Sequence, residues 1–175
     1  MKKIELIIVL MFLNVTLLAQ ENSEKYLAKV QSLDSTLETL YGVISGEKGE
    51  ERDWELFRYL FKPEAKLIPS VKNKKGNFEV KYMSPEDYIA TSGKWLFENG
   101  FYEKEIHRET NTFGNITQVF STYESFKSKT DTKPFMRGIN SIQLLNDGKR
   151  WWVINIYWTP ETETNPIPEQ YLPKQ

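Results

Sequence analysis

The sequence predicts an α+β fold: a curved antiparallel sheet wrapped around three helices that lie in the N-terminal half. Three observations predict it. Apolar residues recur at steps of three and four over residues 26–44, and a Ser-Pro-Glu-Asp helix start stands at residues 84–87. Runs rich in β-branched and aromatic residues fill much of the chain between Phe101 and Trp158. An Asp147-Gly148 turn joins the last two runs, a strong hairpin signal. Helices followed by long antiparallel strands give an α+β domain, with a ligand-sized concavity between the two layers.

The 175-residue chain opens with Lys2 and Lys3, an apolar run over residues 6–13, and Ala19 before Gln20. That is the pattern of a secretory signal cleaved after Ala19. Asn14 and Thr16 interrupt the apolar stretch, which is too short to span a bilayer. A membrane anchor or a buried first helix is the alternative. The expected product is a periplasmic or secreted bacterial protein, residues 20–160 forming one domain and 161–175 a Pro-rich tail, with no membrane contact after signal removal.

Cleavage takes two lysines and one glutamate from the 23 basic and 24 acidic residues, leaving a net charge of −2. Near-neutral charge without a basic block argues against nucleic acid as a partner. The chain has no cysteine, so no disulfide, thiolate nucleophile or thiolate metal site exists. Its core alone must hold it together, and about 155 residues suffice for one such domain.

Tyr26, Val30, Leu33, Leu37, Leu40 or Tyr41, and Ile44 form one helical stripe, with Gly46 as its stop. Asp53 is the expected cap of a short helix carrying Trp54, Phe57, Leu60 and Phe61, ended by Lys62-Pro63. Residues 65–71 and 77–82 read as two short strands. The third helix starts at Ser84 and runs through Tyr88, Ile89, Ser92, Trp95 and Leu96 to Gly100. Strands over 101–112, 116–126, 135–145 and 150–158 form two hairpins. The tail, with prolines at 160, 166, 168 and 173, reads as extended or frayed.

A two-residue turn at Asp147-Gly148 sets Asn140 opposite Asn155, Ile142 opposite Val153, Leu144 opposite Trp151, and Gly138 opposite Tyr157. Any even loop keeps these residues on one face, whereas a bulge scrambles them. The face is apolar except for the facing amides and the Tyr157 phenol. It reads either as a pocket floor or as a self-satisfied amide pair in the core. In the earlier hairpin Thr117, Val119, Ser121 and Tyr123 share that inner face, while Glu105, His107 and Glu109 fall on the other. Trp54, Phe57 and Tyr88 either close the pocket mouth or belong to plain core. The expected pocket residues are thus Trp54, Tyr88, Tyr123, Asn140, Asn155 and Tyr157.

His107, the single histidine, stands between Glu105 and Glu109 at two-residue spacing. This pattern is a proton carrier or metal ligand in one reading and a solvated charged face in the other. Neither a Ser-His-Asp set nor a phosphate-binding loop is present, and no metal or cofactor is expected.

The order of elements, the Leu60-Phe61-Lys62-Pro63-Glu64-Ala65 helix end and the closing run from Lys149 to Trp158 resemble the nuclear transport factor 2-like superfamily, its SnoaL-like branch in particular. The resemblance covers residues 25–160. It implies a cone-shaped curved sheet enclosing a pocket and a homodimer formed through the sheet. Some members are isomerases, dehydratases or cyclases with an Asp or His base; others bind ligands or build assemblies. SnoaL-like last strands often carry histidines where Asn155 and Tyr157 stand here. An amide takes up no proton and a phenol titrates near 10, so neither is a ready base at neutral pH. The leading expectation is therefore binding of a small, partly apolar ligand without turnover. Proton-transfer catalysis is the alternative, requiring Asp53, His107 or Glu124 in the cone. A dimeric scaffold with a filled cavity is the third reading.

Overall fold

In the computed structural model, residues 25–174 are described, and the signal reading over residues 1–19 lies outside them. Three helices, α1 (Leu33–Ile44), α2 (Trp54–Leu60) and α3 (Pro85–Asn99), pack on one six-stranded curved sheet. Its strands are β1 (Phe61–Lys72), β2 (Phe78–Val80), β3 (Tyr102–Phe113), β4 (Ile116–Phe126), β5 (Met136–Asn146) and β6 (Trp151–Pro160). Their spatial order is β2-β1-β6-β5-β4-β3. The pairs are antiparallel except that β1 runs parallel to β6.

The stripe from Tyr26 to Ile44 is not one helix. Residues 25–27 make a single helical turn, and α1 begins anew at Leu33. Ser32 is the reason. Its hydroxyl accepts the Ser35 N–H at 3.0 Å while the Ser35 hydroxyl accepts the Ser32 N–H at 3.1 Å, a closed capping box that starts a helix. The break lowers Val30 into the core, where its carbonyl accepts the Trp151 N–H at 2.8 Å. From there Leu37, Leu40 and Tyr41 bury the inner side of α1 against the sheet. Each such side chain contributes roughly 1.5–3 kcal/mol on leaving water.

Asp53 caps α2, accepting the Leu56 N–H at 2.9 Å, and β1 follows at once from Phe61 rather than from residue 65. Pro63 forbids further helix, and a register shift between Phe61 and Lys66 absorbs it. Ser84 and Asp87 close a second capping box on α3, with Pro85 at its first position. The Arg150 guanidinium lies between the rings of Tyr59 and Trp152, 3.8 and 3.6 Å from their centroids, and so ties the last turn to α2.

Two β-bulges set which side chains face the helices. In β3, Glu105 pairs with Tyr123 and His107 with Thr122, leaving Ile106 as the extra residue. In β6, Val153 pairs with Leu144 and Asn155 with Gln143, leaving Ile154 extra. The tail does not fray. It folds across the outer face of the sheet, burying Ile167 and setting Tyr171 edge-on to Phe120 at 4.9 Å.

Candidate functional site

A cavity of about 250 Å³ lies between the helices and the sheet. Tyr41 and Ile44 of α1, Phe57 of α2, and Tyr88, Trp95 and Leu96 of α3 form its helical wall, while the sheet contributes Leu67, Glu103, Tyr123, Asn140, Ile156 and Trp158. Most of this lining is apolar; Glu103, Asn140, Ser92 and the phenols of Tyr41, Tyr88 and Tyr123 supply its polar groups.

Glu103 is the centre of that polar set. It stands opposite Ser125 in the β3–β4 ladder. Ser125 Oγ donates to its Oε2 at 3.1 Å, and Asn140 Nδ2 approaches its Oε1 at 3.4 Å. Burial pushes the Glu103 carboxyl up to about 7, although the hydrogen bonds from Ser125 and Asn140 pull the other way. Among the described residues no lysine, arginine or histidine lines the cavity to offset that burial. Three phenols surround the carboxyl. Tyr41, Tyr88 and Tyr123 all titrate above the ordinary phenol value, mainly through burial and then through the Glu103 charge. Tyr88 is held by its ring, stacked on Phe57 at 5.4 Å and 17°.

The expected pocket residues divide. Tyr88, Tyr123 and Asn140 line the cavity together. Trp54 does not; it packs edge-on to Phe57 at 5.6 Å and against Gly93 of α3, in the core. Asn155 and Tyr157 point to the opposite face. Asn155 Nδ2 donates to Gln143 Oε1 at 2.8 Å on the outside of the sheet, and Tyr157 is 44% exposed beside it. The expected Asn140–Asn155 pair therefore does not form. The turn itself is not at fault. Asp147 N–H donates to the Arg150 carbonyl at 3.1 Å, so Gly148, at φ +89°, and Lys149 form its centre. That shifts the register by two residues and preserves the faces as far as Val153. The Ile154 bulge then reverses them, bringing Ile156 and Trp158 inside. Gly138 meets Tyr123 and Pro160 rather than Tyr157.

Ile106 produces the mirror-image correction. It turns Glu103 and Glu105 inward, so a carboxylate does stand on the pocket face, contrary to the sequence expectation. The alternative bases lie elsewhere. Asp53 caps α2 and accepts the Tyr26 hydroxyl at 3.0 Å, Glu124 pairs with Lys104 at 3.5 Å, and His107 faces outward with Nε2 3.3 Å from Glu109 Oε1. Among the described residues no group of three His, Asp or Glu side chains is placed to hold a metal ion.

Solved structures of similar shape identify the architecture. The chain superposes on an NTF2-like protein of unknown function from Silicibacter pomeroyi with a TM-score of 0.52 and 15% identity, over 79% of this chain and 98% of that one. It superposes on a nuclear transport factor 2 superfamily protein from Salmonella enterica with a TM-score of 0.52 and 14% identity, over 77% and 88%. This chain has the NTF2-like fold. A protein of unknown function with a cystatin-like fold from Nostoc punctiforme also matches, at a TM-score of 0.56 and 10% identity over 75% and 90% of the two chains. No protein-family profile and no curated protein matches the sequence. The NTF2-like fold explains the place of the cavity: a bulged sheet curls over α1 and α3 and leaves the space between them unfilled. Among the described residues no helix is long and apolar enough to cross a membrane.

Proposed function

We propose that this domain binds a small, largely apolar molecule inside the cone, its polar end against Glu103, Asn140, Tyr88 and Tyr123. One observation carries the reading: a mostly apolar space with hydrogen-bonding groups gathered around Glu103. Such a lining rewards burial of an apolar body and fixes its orientation by a few polar contacts. The signal-like residues 1–19 support an exported protein, which N-terminal sequencing of the mature chain tests. Ligand-observed NMR with a library of single-ring fragments tests the binding itself. Competitive binding that disappears in Ser92→Trp, which fills the space from α3, supports the site; equal binding by wild type and variant counts against it.

Glu103 favours a second reading, proton transfer. A carboxyl that titrates near 7 is present in both protonation states at neutral pH, as a general acid–base requires. Deuterium exchange into small enolisable ketones tests this. Catalysis through Glu103 predicts exchange with wild type and its loss in Glu103→Gln, whereas the same rate in both proteins rules it out.

A further inference from the structure

The inner wall carries a line of hydrogen bonds that can run in only one sense. It starts at the surface, where Arg108 Nη1 donates to Asp34 Oδ1 at 2.7 Å. Arg108 Nε also donates to Glu105 Oε2 at 2.7 Å, so Glu105 is an ion-paired carboxylate and only accepts. Its other oxygen accepts a hydrogen bond from the Ser121 hydroxyl. Ser121 has no second proton, so at 2.6 Å Tyr41 must donate to Ser121. The Tyr41 oxygen is then left to accept, which it does from Asn140 Nδ2 at 3.1 Å. The same amide nitrogen faces Glu103 Oε1. The carboxamide is thereby fixed. Its nitrogen is committed to the wall, and its Oδ1 accepts no hydrogen bond from the described residues. The hydroxyls of Tyr88 and Tyr123 are also without a partner among the described residues, and all three residues line the cavity.

The unspent groups around Glu103 are thus a fixed acceptor, a carboxyl and two phenol hydroxyls, with the Ser92 hydroxyl also in the wall and no cation among the described lining residues. At a pH where Glu103 is ionised, an anion buried there would meet its charge and find no counter-charge. Size sets a second limit. At about 250 Å³ the space exceeds the roughly 150 Å³ of a cavity that holds benzene, enough for one substituted ring. We infer that the site selects a single-ring molecule whose neutral or cationic head donates a hydrogen bond, a phenol, alcohol or amine, and rejects carboxylates. Tyr41, Ser121, Glu105 and Arg108 are positioning residues that fix the Asn140 acceptor. This rests on the reading of the cavity as a ligand site.

Probes of one shape test it: 4-methylphenol, 4-methylbenzylamine, toluene and 4-methylbenzoate, titrated onto the full mature chain near pH 8 and followed by ligand-observed NMR. The phenol and the amine are expected to bind about tenfold tighter than toluene, and the benzoate not to bind. In Glu105→Gln the carboxamide can donate, so the sense of the chain is no longer forced. The phenol-over-toluene ratio should then fall several-fold while toluene affinity stays the same, and Glu105→Asp should restore the ratio. A merely structural role would move every probe together. Benzoate binding as tightly as the phenol, or toluene binding equally well, overturns the head-group assignment and leaves the cavity as a site. Absence of binding by all four overturns the site itself. If Glu105→Gln does not fold, the ranking of probes on the wild-type chain decides.

Discussion

At the scale of single residues, Glu103 gives the protein a distinctive pH response. Its carboxyl titrates near 7 in the folded chain, against an ordinary value of 4.5, because burial disfavours the charge. Between those values the folded protein holds a proton that the unfolded chain has released, so stability falls as pH rises through this window and stays lower above it. The loss is on the order of 2–3 kcal/mol. Glu103→Gln cannot titrate, so the difference between wild-type and variant unfolding free energies should fall from pH 4.5 to 7 by that amount, measured by urea denaturation across the range. A difference that is flat with pH would show Glu103 to be solvated. Gly138 carries a different constraint. A Cβ there would stand 2.5 Å from the Tyr123 hydroxyl and 2.6 Å from the Thr159 carbonyl. The Tyr123 ring is 1% exposed, and the carbonyl belongs to the backbone of the paired strand, which cannot give way as a side chain can. Gly138→Ala should cost about 1–3 kcal/mol in thermal or chemical unfolding, as over-packing of a close-fitted core does.

At the scale of elements, strand facing depends on two isoleucines that no local pattern marks. Helix starts were legible because capping chemistry is written in neighbouring residues: Asp53, and Ser84 with Asp87, sit where their side chains cap. The hairpins were legible from Gly114 and Gly148, which both take positive φ. Tyr123 and Asn140 were placed on the inner side because the alternation up to them is unbroken, and Tyr88 because it falls on the apolar stripe of α3. Asn155, Tyr157 and Glu105 were misplaced because alternation is a running count. One extra residue, Ile154 or Ile106, inverts every position beyond it while changing neither composition nor length of the apolar run. Ser32 was missed for a related reason, since its capping box interrupts a stripe that still has helical spacing on both sides. The facing can be measured directly, because the chain has no cysteine. Single variants Tyr157→Cys and Ile156→Cys place one thiol on each side of β6, at positions 44% and 8% exposed. A maleimide should label the first at least about tenfold faster than the second, since a buried thiol reacts only through opening of the structure. Equal rates, or the reverse order, would mean that the bulge at Ile154 is not formed.

At the scale of the whole molecule, the tail decides how much of the outer sheet face is available. Glu161 pairs with Arg137 at 2.8 Å and accepts the Ile167 N–H at 3.0 Å, which starts the tail across the sheet. Ile167 is buried, and the Tyr171 carbonyl accepts from Thr122 Oγ1 at 2.6 Å, so the 3₁₀ turn of residues 169–171 is anchored above β4. Beyond the tail, Phe78, Tyr157, Phe113 and Ile116 remain among the most exposed large apolar side chains. The tail thereby reduces the outer sheet surface open to a second copy of the chain. Ending the chain after Pro160 removes the Ile167 burial, the ion pair and the ring contact to Phe120 together. A loss of about 2–4 kcal/mol follows from burying one aliphatic side chain, one part-buried ion pair and one aromatic contact. For a domain of this size that is a fall of roughly 5–12 °C in Tm by scanning calorimetry. The same cut uncovers Phe120 and Ile139, which line the cleft between tail and sheet, and adds them to an apolar face that is already part-exposed. Self-association of the shortened chain, followed by light scattering against concentration, should therefore exceed that of the full chain. If shortening instead splits an oligomer into monomers, the tail belongs to the subunit contact rather than shielding against it.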